Sequence, residues 1–141
     1  MPAHAVTDDE IAACFEVMAE LRPRLARAGF VPLIRAMQAD GYRLACLRVA
    51  GRVVAVAGYR ISTNLFMGRN LYVDDLVTAA GERSKGHGHE LLAWLRGIAV
   101  ANDCRYLHLD SGVQRKRAHQ FYLREGLELG SHHFSARLDG R

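Results

Sequence analysis

The sequence predicts one α/β (α+β) domain over residues 1–141, with antiparallel hairpins first and a strand–helix–strand unit after. Three observations carry that reading. A helical apolar stripe with a capping signature opens the chain. Two apolar, partly β-branched runs follow, separated by a glycine turn. A third strand-like run then passes through a glycine-rich loop into a second helical stripe.

Taken in order, Thr7 and Glu10 form a capping box, and Ile11, Cys14, Phe15, Met18 and Leu21 recur behind it at helical spacing. Pro23 ends that helix near Arg22, and a second short helix runs from Val31 to Asp40 with Gly41 as its stop. Tyr42–Val49 and Val53–Ile61 pair as a hairpin across Ala50-Gly51-Arg52. Leu71–Thr78 is the next strand. Leu91, Leu92, Leu95, Ile98 and Ala99 make one stripe, so a helix spans about Gly88–Asn102. Tyr106–Asp110 reads as a short buried strand, Gln114–Glu125 as a helix capped by Gly126, and His132–Leu138 as a final alternating strand.

Composition narrows the class. The net charge of +4 and the pI near 9.3 permit nucleic-acid binding, but there is no aromatic-basic repeat and no basic tail, so no nucleic-acid partner is expected. The longest apolar run, around Val53–Gly58, is far too short to cross a bilayer, and no membrane partner is expected. Asp8, Asp9 and Glu10 stand where a signal peptide would be hydrophobic. Cys14, Cys46 and Cys104 are widely spaced and read as reduced thiols of a cytoplasmic protein.

The most informative segment is Arg83-Ser84-Lys85-Gly86-His87-Gly88, between a strand and a helix. Unpaired N–H groups at the positive end of a helix dipole bind phosphate, and glycines admit its close approach. A P-loop requires Gly-Lys-Ser/Thr, and here Gly86 is followed by His87-Gly88-His89. A dinucleotide fingerprint requires a third glycine, and that position is Leu91. The remaining pattern is the acetyl-CoA pyrophosphate loop, matched by Arg83, Gly86 and Gly88. A second motif follows, Ala118-His119-Gln120-Phe121-Tyr122 through Gly126-Leu127. Together they resemble the GNAT superfamily of acetyl-CoA-dependent N-acetyltransferases, strongly from about Val53 onward and before that only in element order.

That resemblance implies a single domain with a central mixed, mostly antiparallel sheet flanked by helices, its fourth and fifth strands splayed to admit acetyl-CoA. It implies transfer of the acetyl group to a primary amine of a small molecule in a ternary complex. Backbone of Leu76, Val77 and Thr78 would pair with the pantetheine arm, and the N–H near Leu76 would polarise the thioester carbonyl. Ser84, Lys85, Gly86, His87, Gly88 and His89 would present N–H groups to the pyrophosphate, with Arg83 and Arg115 adding charge. Tyr122 matches the tyrosine that protonates the departing thiolate. Asp74 matches the acid that helps deprotonate the amine, whose ammonium form has a pKa of about 10.4.

Adjacent residues on a strand face opposite sides, so at most one of Asp74 and Asp75 should enter the cleft. Arg115 stands where the family often has Asn, and Arg115, Lys116 and Arg117 could contact phosphates or form a solvated face. His87 and His89, and the adjacent His132 and His133, lack metal-ligand spacing, so no metal is expected. Two alternatives stand beside the enzyme: a non-catalytic CoA-binding regulatory module, and a protein or peptide N-acetyltransferase. Selectivity should sit in Phe15–Arg35 and the Ser62–Arg69 loop, where Arg22, Arg24 and Arg27 could meet an acidic group. Leu65-Phe66-Met67 in that loop points to a homodimer contact, which a monomer in light scattering would remove.

Overall fold

The computed structural model describes residues 1–140 in two units, Met1–Leu109 and a second that begins at Asp110. The first holds a five-stranded sheet in the order β1-β2-β3-β4-β5. Its strands are β1 (Ala3–His4), β2 (Arg43–Val49), β3 (Arg52–Asn64), β4 (Gly68–Thr78) and β5 (Tyr106–Leu109). Its helices are α1 (Asp8–Ala13), α2 (Phe15–Leu21), α3 (Arg27–Ala39) and α4 (His87–Ala101). β1 through β4 pair antiparallel and β4–β5 pair parallel, which is the expected mixed sheet.

β3 is buried without a break from Val53 to Tyr59, as a central strand covered on both faces must be. One face packs Ile11, Val17, Met18, Phe30 and Ile34 of α1–α3 against Leu44, Cys46, Val56 and Val77. Tyr59 faces the opposite side, where His4 lies between its ring and Trp94 of α4. Leu91, Leu92, Leu95 and Ala99 bury the α4 stripe there.

Several elements differ from the sequence reading, each for a local reason. The first helix breaks at Cys14, whose N–H bonds Ile11 O at 3.0 Å in a tightened turn; the Thr7–Glu10 capping box forms as expected. The β2–β3 turn is Ala50-Gly51, both at positive φ, the geometry that matches strand twist in a two-residue hairpin. The Ser62–Arg69 segment is mostly strand: β3 and β4 run on to Asn64 and from Gly68. Its tip is Leu65-Phe66-Met67, closed by Met67 N–H donating to Asn64 Oδ1 at 2.6 Å, with Leu65 and Phe66 exposed. β5 is an edge strand, half-buried rather than buried.

In the second unit α5 spans Lys116–Arg124. The expected strand at His132–Leu138 is not formed among the described residues. Period-two alternation names a face but no partner, and the described residues of this unit hold no other strand to complete a ladder. No helix of the described residues is long and apolar enough to cross a membrane.

Candidate functional site

Two features of the first unit meet at the C-terminal end of β4. The first is an open strand edge. Pairing with β5 covers only Asn70↔Tyr106 to Val73↔Leu109, while β4 continues beside β3 to Thr78. Along Asp75–Thr78, therefore, alternate N–H and C=O groups point away from β3 with no strand opposite among the described residues. Leu76, Val77 and Thr78 lie on this stretch. An extended ligand can complete such an edge by main-chain hydrogen bonds.

The second feature is the start of α4. Gly86 is its N-cap, at φ +84°, and no side chain caps the helix. The first-turn N–H groups of His87 and Gly88 are thus turned toward an outside acceptor. Ser84 also adopts positive φ, 65°, and residues of alternating hand turn successive N–H groups toward one concavity. A Cβ built on Gly86 meets nothing within 4 Å, so the approach is open. These residues fit a pyrophosphate.

The charges beside the loop are arranged unevenly. Glu82 takes Lys85 Nζ at 2.9 Å, with His87 Nε2 at 3.5 Å and Arg52 at 3.7 Å. The Lys85 hydrogen bond, followed by the charges around it, holds the Glu82 carboxyl below its ordinary range. Lys85 is therefore spent on shaping the loop. Arg83 is exposed and makes no ion pair among the described residues.

The aspartates depart from the strand rule. Gly58 pairs with Asp75 and Tyr59 with Val73, so Asp74 is an extra residue, a bulge. Both carboxylates consequently lie on the face that carries Gly58 and Arg60. Asp74 accepts from Arg60 Nη2 at 2.6 Å and Nε at 3.0 Å. Asp75 accepts from Arg22 Nε at 2.9 Å and from the Tyr42 hydroxyl at 2.8 Å. Arg22 also donates to the Asp74 carbonyl at 3.0 Å. The expectation that the pair would split between faces is corrected by the bulge.

Tyr42 reaches Asp75 by crossing β3 over Gly58, where any Cβ would overlap the phenol. Burial first, then the Asp75 charge, pushes the Tyr42 hydroxyl well above its usual pKa, so it stays a donor. Sequence reasoning missed Arg22–Asp75, Arg60–Asp74 and Tyr42. One signal was available: a glycine inside a strand run marks a bulge or a close approach, and Gly58 is one. Glu20 of α2 accepts from Ala80 N–H at 2.9 Å, fixing the turn after β4 to the helix that delivers Arg22.

In the second unit Tyr122 lies on α5, edge-on to Phe121 with ring centroids 5.5 Å apart. Its hydroxyl makes no hydrogen bond among the described residues. Burial raises its pKa, partly opposed by the positive charge of Arg115. Arg115 is the exposed N-cap of α5, and His119 Nε2 contacts Gly112 O at 2.8 Å.

Comparison with known proteins agrees with this architecture. The sequence profile of the acetyltransferase (GNAT) family matches residues 7–127. An uncharacterised N-acetyltransferase of Bacillus subtilis (strain 168), YhdJ, is 34% identical over 115 residues, 81% of each chain. The aminoalkylphosphonate N-acetyltransferase of Salmonella typhimurium (strain LT2) is 28% identical over 140 residues, covering 96% of this chain and 89% of its own. Among solved structures, a putative acetyltransferase from Agrobacterium tumefaciens str. C58 superposes with a TM-score of 0.85 at 22% identity, over 98% of this chain and 99% of that one. The aminoglycoside N-acetyltransferase AAC(6')-Iy gives 0.85 at 12% identity, over 99% and 95%.

Proposed function

We propose that this chain, which belongs to the GNAT family of acetyltransferases and is an acyltransferase, moves an acetyl group from acetyl-CoA to a primary amine of a small molecule, directly and in a ternary complex. The observation that carries the reading is the end of β4. There a strand edge with no partner strand among the described residues leads, through Ser84 and Gly86, into a helix that no side chain caps. A long ligand with a hydrogen-bonding arm and a pyrophosphate matches that sequence of sites.

Bound acetyl-CoA supplies an activated thioester and a thiolate leaving group. The residues of this chain supply the rest. Leu76, Val77 and Thr78 would hold the arm through backbone groups, and the N–H near Leu76 would polarise the thioester carbonyl. Ser84 through His89 bind the pyrophosphate through N–H groups, Lys85 among them, since its side chain is engaged with Glu82. Arg83 and Arg115 add positive charge.

Asp74 takes the proton that an alkylammonium must lose before it attacks. Tyr122 returns a proton to the thiolate, and its raised pKa keeps it in the donor form at neutral pH. Cys14 and Cys46 are buried in the core of the first unit, which supports direct transfer over a cysteine nucleophile. The Salmonella relative's named substrate class supports a small amine. We further take residues 1–141 to act as a single domain, in a cytoplasm where the three free thiols stay reduced.

The test is thermal. Ligand at a hundredfold excess over Kd stabilises by about 2.7 kcal/mol, which for a domain of this size is a rise of roughly 8–10 °C in Tm. Gly86→Glu places bulk and negative charge against the pyrophosphate and should abolish the rise. The variant should still fold, because nothing occupies the Cβ position and the strained φ costs only about 1–2 kcal/mol. A folded variant that responds to acetyl-CoA like the parent shows the loop assignment to be wrong.

A further inference from the structure

Four charges crowd the bulge of β4, and they sum to zero. Asp74 and Asp75 are largely covered, at 17% and 12% side-chain exposure, while Arg60 and Arg22 stand half in solvent, at 48% and 51%. The two arginines are held differently. Arg22 is anchored twice, to the Asp75 carboxylate and to the Asp74 carbonyl. Arg60 is anchored by Asp74 alone, through two parallel N–H···O bonds. Of the two, Arg60 is the one that can let go without freeing a second contact.

We infer that the acceptor is a small zwitterion, an amine carrying an oxyanion a few bonds away, and that Arg60 is the residue that selects it. The inference rests on the acetyltransferase reading of this site, in which Asp74 receives the amine. For the ammonium to reach Asp74, the Arg60 guanidinium must be displaced. A simple alkylamine leaves that guanidinium unpaired beside the incoming cation. A polyamine adds a further positive charge next to Arg60 and Arg22.

A zwitterion exchanges one ion pair for two. Its ammonium takes the Asp74 carboxylate, and its carboxylate or phosphonate takes the fork of N–H donors that Arg60 has just withdrawn. With a carboxylate the cluster stays neutral at every stage, and a phosphonate, largely dianionic at neutral pH, adds about one negative charge beside the two arginines. Because both arginines are half-exposed, solvent screens the gain, and selectivity on the order of tenfold is expected rather than several orders of magnitude.

The experiment measures thiol release at saturating acetyl-CoA with four small acceptors: β-alanine, aminomethylphosphonate, propylamine and putrescine. At least one of the two zwitterions should exceed propylamine in kcat/KM by about tenfold, with putrescine lowest. The better of the two identifies the oxyanion as carboxylate or phosphonate. Arg60→Gln should cut the zwitterion-to-propylamine ratio by about tenfold, chiefly through KM. That ratio is blind to partial unfolding, so a merely structural role for Arg60 would leave it unmoved.

Propylamine or putrescine equal to the zwitterions overturns the inference while leaving acetyl transfer intact, and so does an unchanged ratio in Arg60→Gln. If no acceptor releases thiol, the inference falls as well. The acetyl-CoA melting shift then tells whether the acetyltransferase reading falls with it.

Discussion

Gly58→Ala strikes the joint between the sheet and the acidic pair. A Cβ at that position falls on the Tyr42 hydroxyl and overlaps the ring carbons next to it. Tyr42 is only 1% exposed, so the ring has no free direction in which to yield. Two costs follow. Overpacking of this kind costs about 1–3 kcal/mol. Displacing the phenol also breaks its 2.8 Å bond to Asp75, a hydrogen bond to a charged acceptor worth about 1.5–3 kcal/mol. A central figure is about 4 kcal/mol, or roughly 12–16 °C in Tm.

Tyr42→Phe isolates the second cost. It removes the hydroxyl and leaves Asp75 with Arg22 alone, at about 2 kcal/mol. The hydrogen bond can be lost only once, so the double variant should fall short of additivity by about 1.5–3 kcal/mol. Urea unfolding of the parent, both single variants and the double at neutral pH measures the coupling. Additivity to within about 0.5 kcal/mol would mean that Gly58→Ala does not act through the Tyr42–Asp75 bond, and the account of this joint would be wrong.

Further outcomes are open to measurement. Tyr122→Phe should keep acetyl-CoA affinity and lower kcat by roughly 10²–10⁴; an unchanged kcat where chemistry limits turnover would return Tyr122 to packing. Asp74→Asn should lower kcat if Asp74 is the base, whereas a rise in KM alone would make it an anchor. At high pH the raised Tyr42 pKa destabilises the fold: its contribution is whole below the unfolded value of about 10 and is lost as pH rises above it. There Tyr42 should contribute a slope of about −1.4 kcal/mol per pH unit. Tyr42→Phe should remove that share and leave those of Tyr59 and Tyr122, which are also raised. An unaltered alkaline slope would refute it.

The order of elements was legible because each rests on short-range chemistry. The Thr7–Glu10 box, the Ala50-Gly51 turn and the α4 stripe all depend on residues within a few positions of one another. Arg83, Gly86 and Gly88 were legible for the same reason, since a phosphate loop is local. What could not be read was partnership. His132–Leu138 alternates like a strand, yet alternation does not provide a neighbour. Arg22 and Arg60 carry no motif, and their value comes from Asp75 and Asp74, 53 and 14 residues away.

The acidic pair shows most clearly where sequence logic failed. Parity along an unbroken strand puts Val73, Asp75 and Val77 on one face and Asp74 on the other. The structure pairs Val73 with Tyr59 on the α4 side, yet packs Val77 among Ile11, Met18 and Val56 on the opposite side. Two valines of the same parity can face opposite ways only if the ladder skips a residue between them, and it skips Asp74. With the skip, Asp75 falls opposite Gly58, the one position on β3 where the Tyr42 phenol can cross and reach it. Asp74 is turned to the same face, within reach of Arg60. The paired charge at the end of β4 is therefore a property of the bulge, and neither aspartate would have the same neighbours without it.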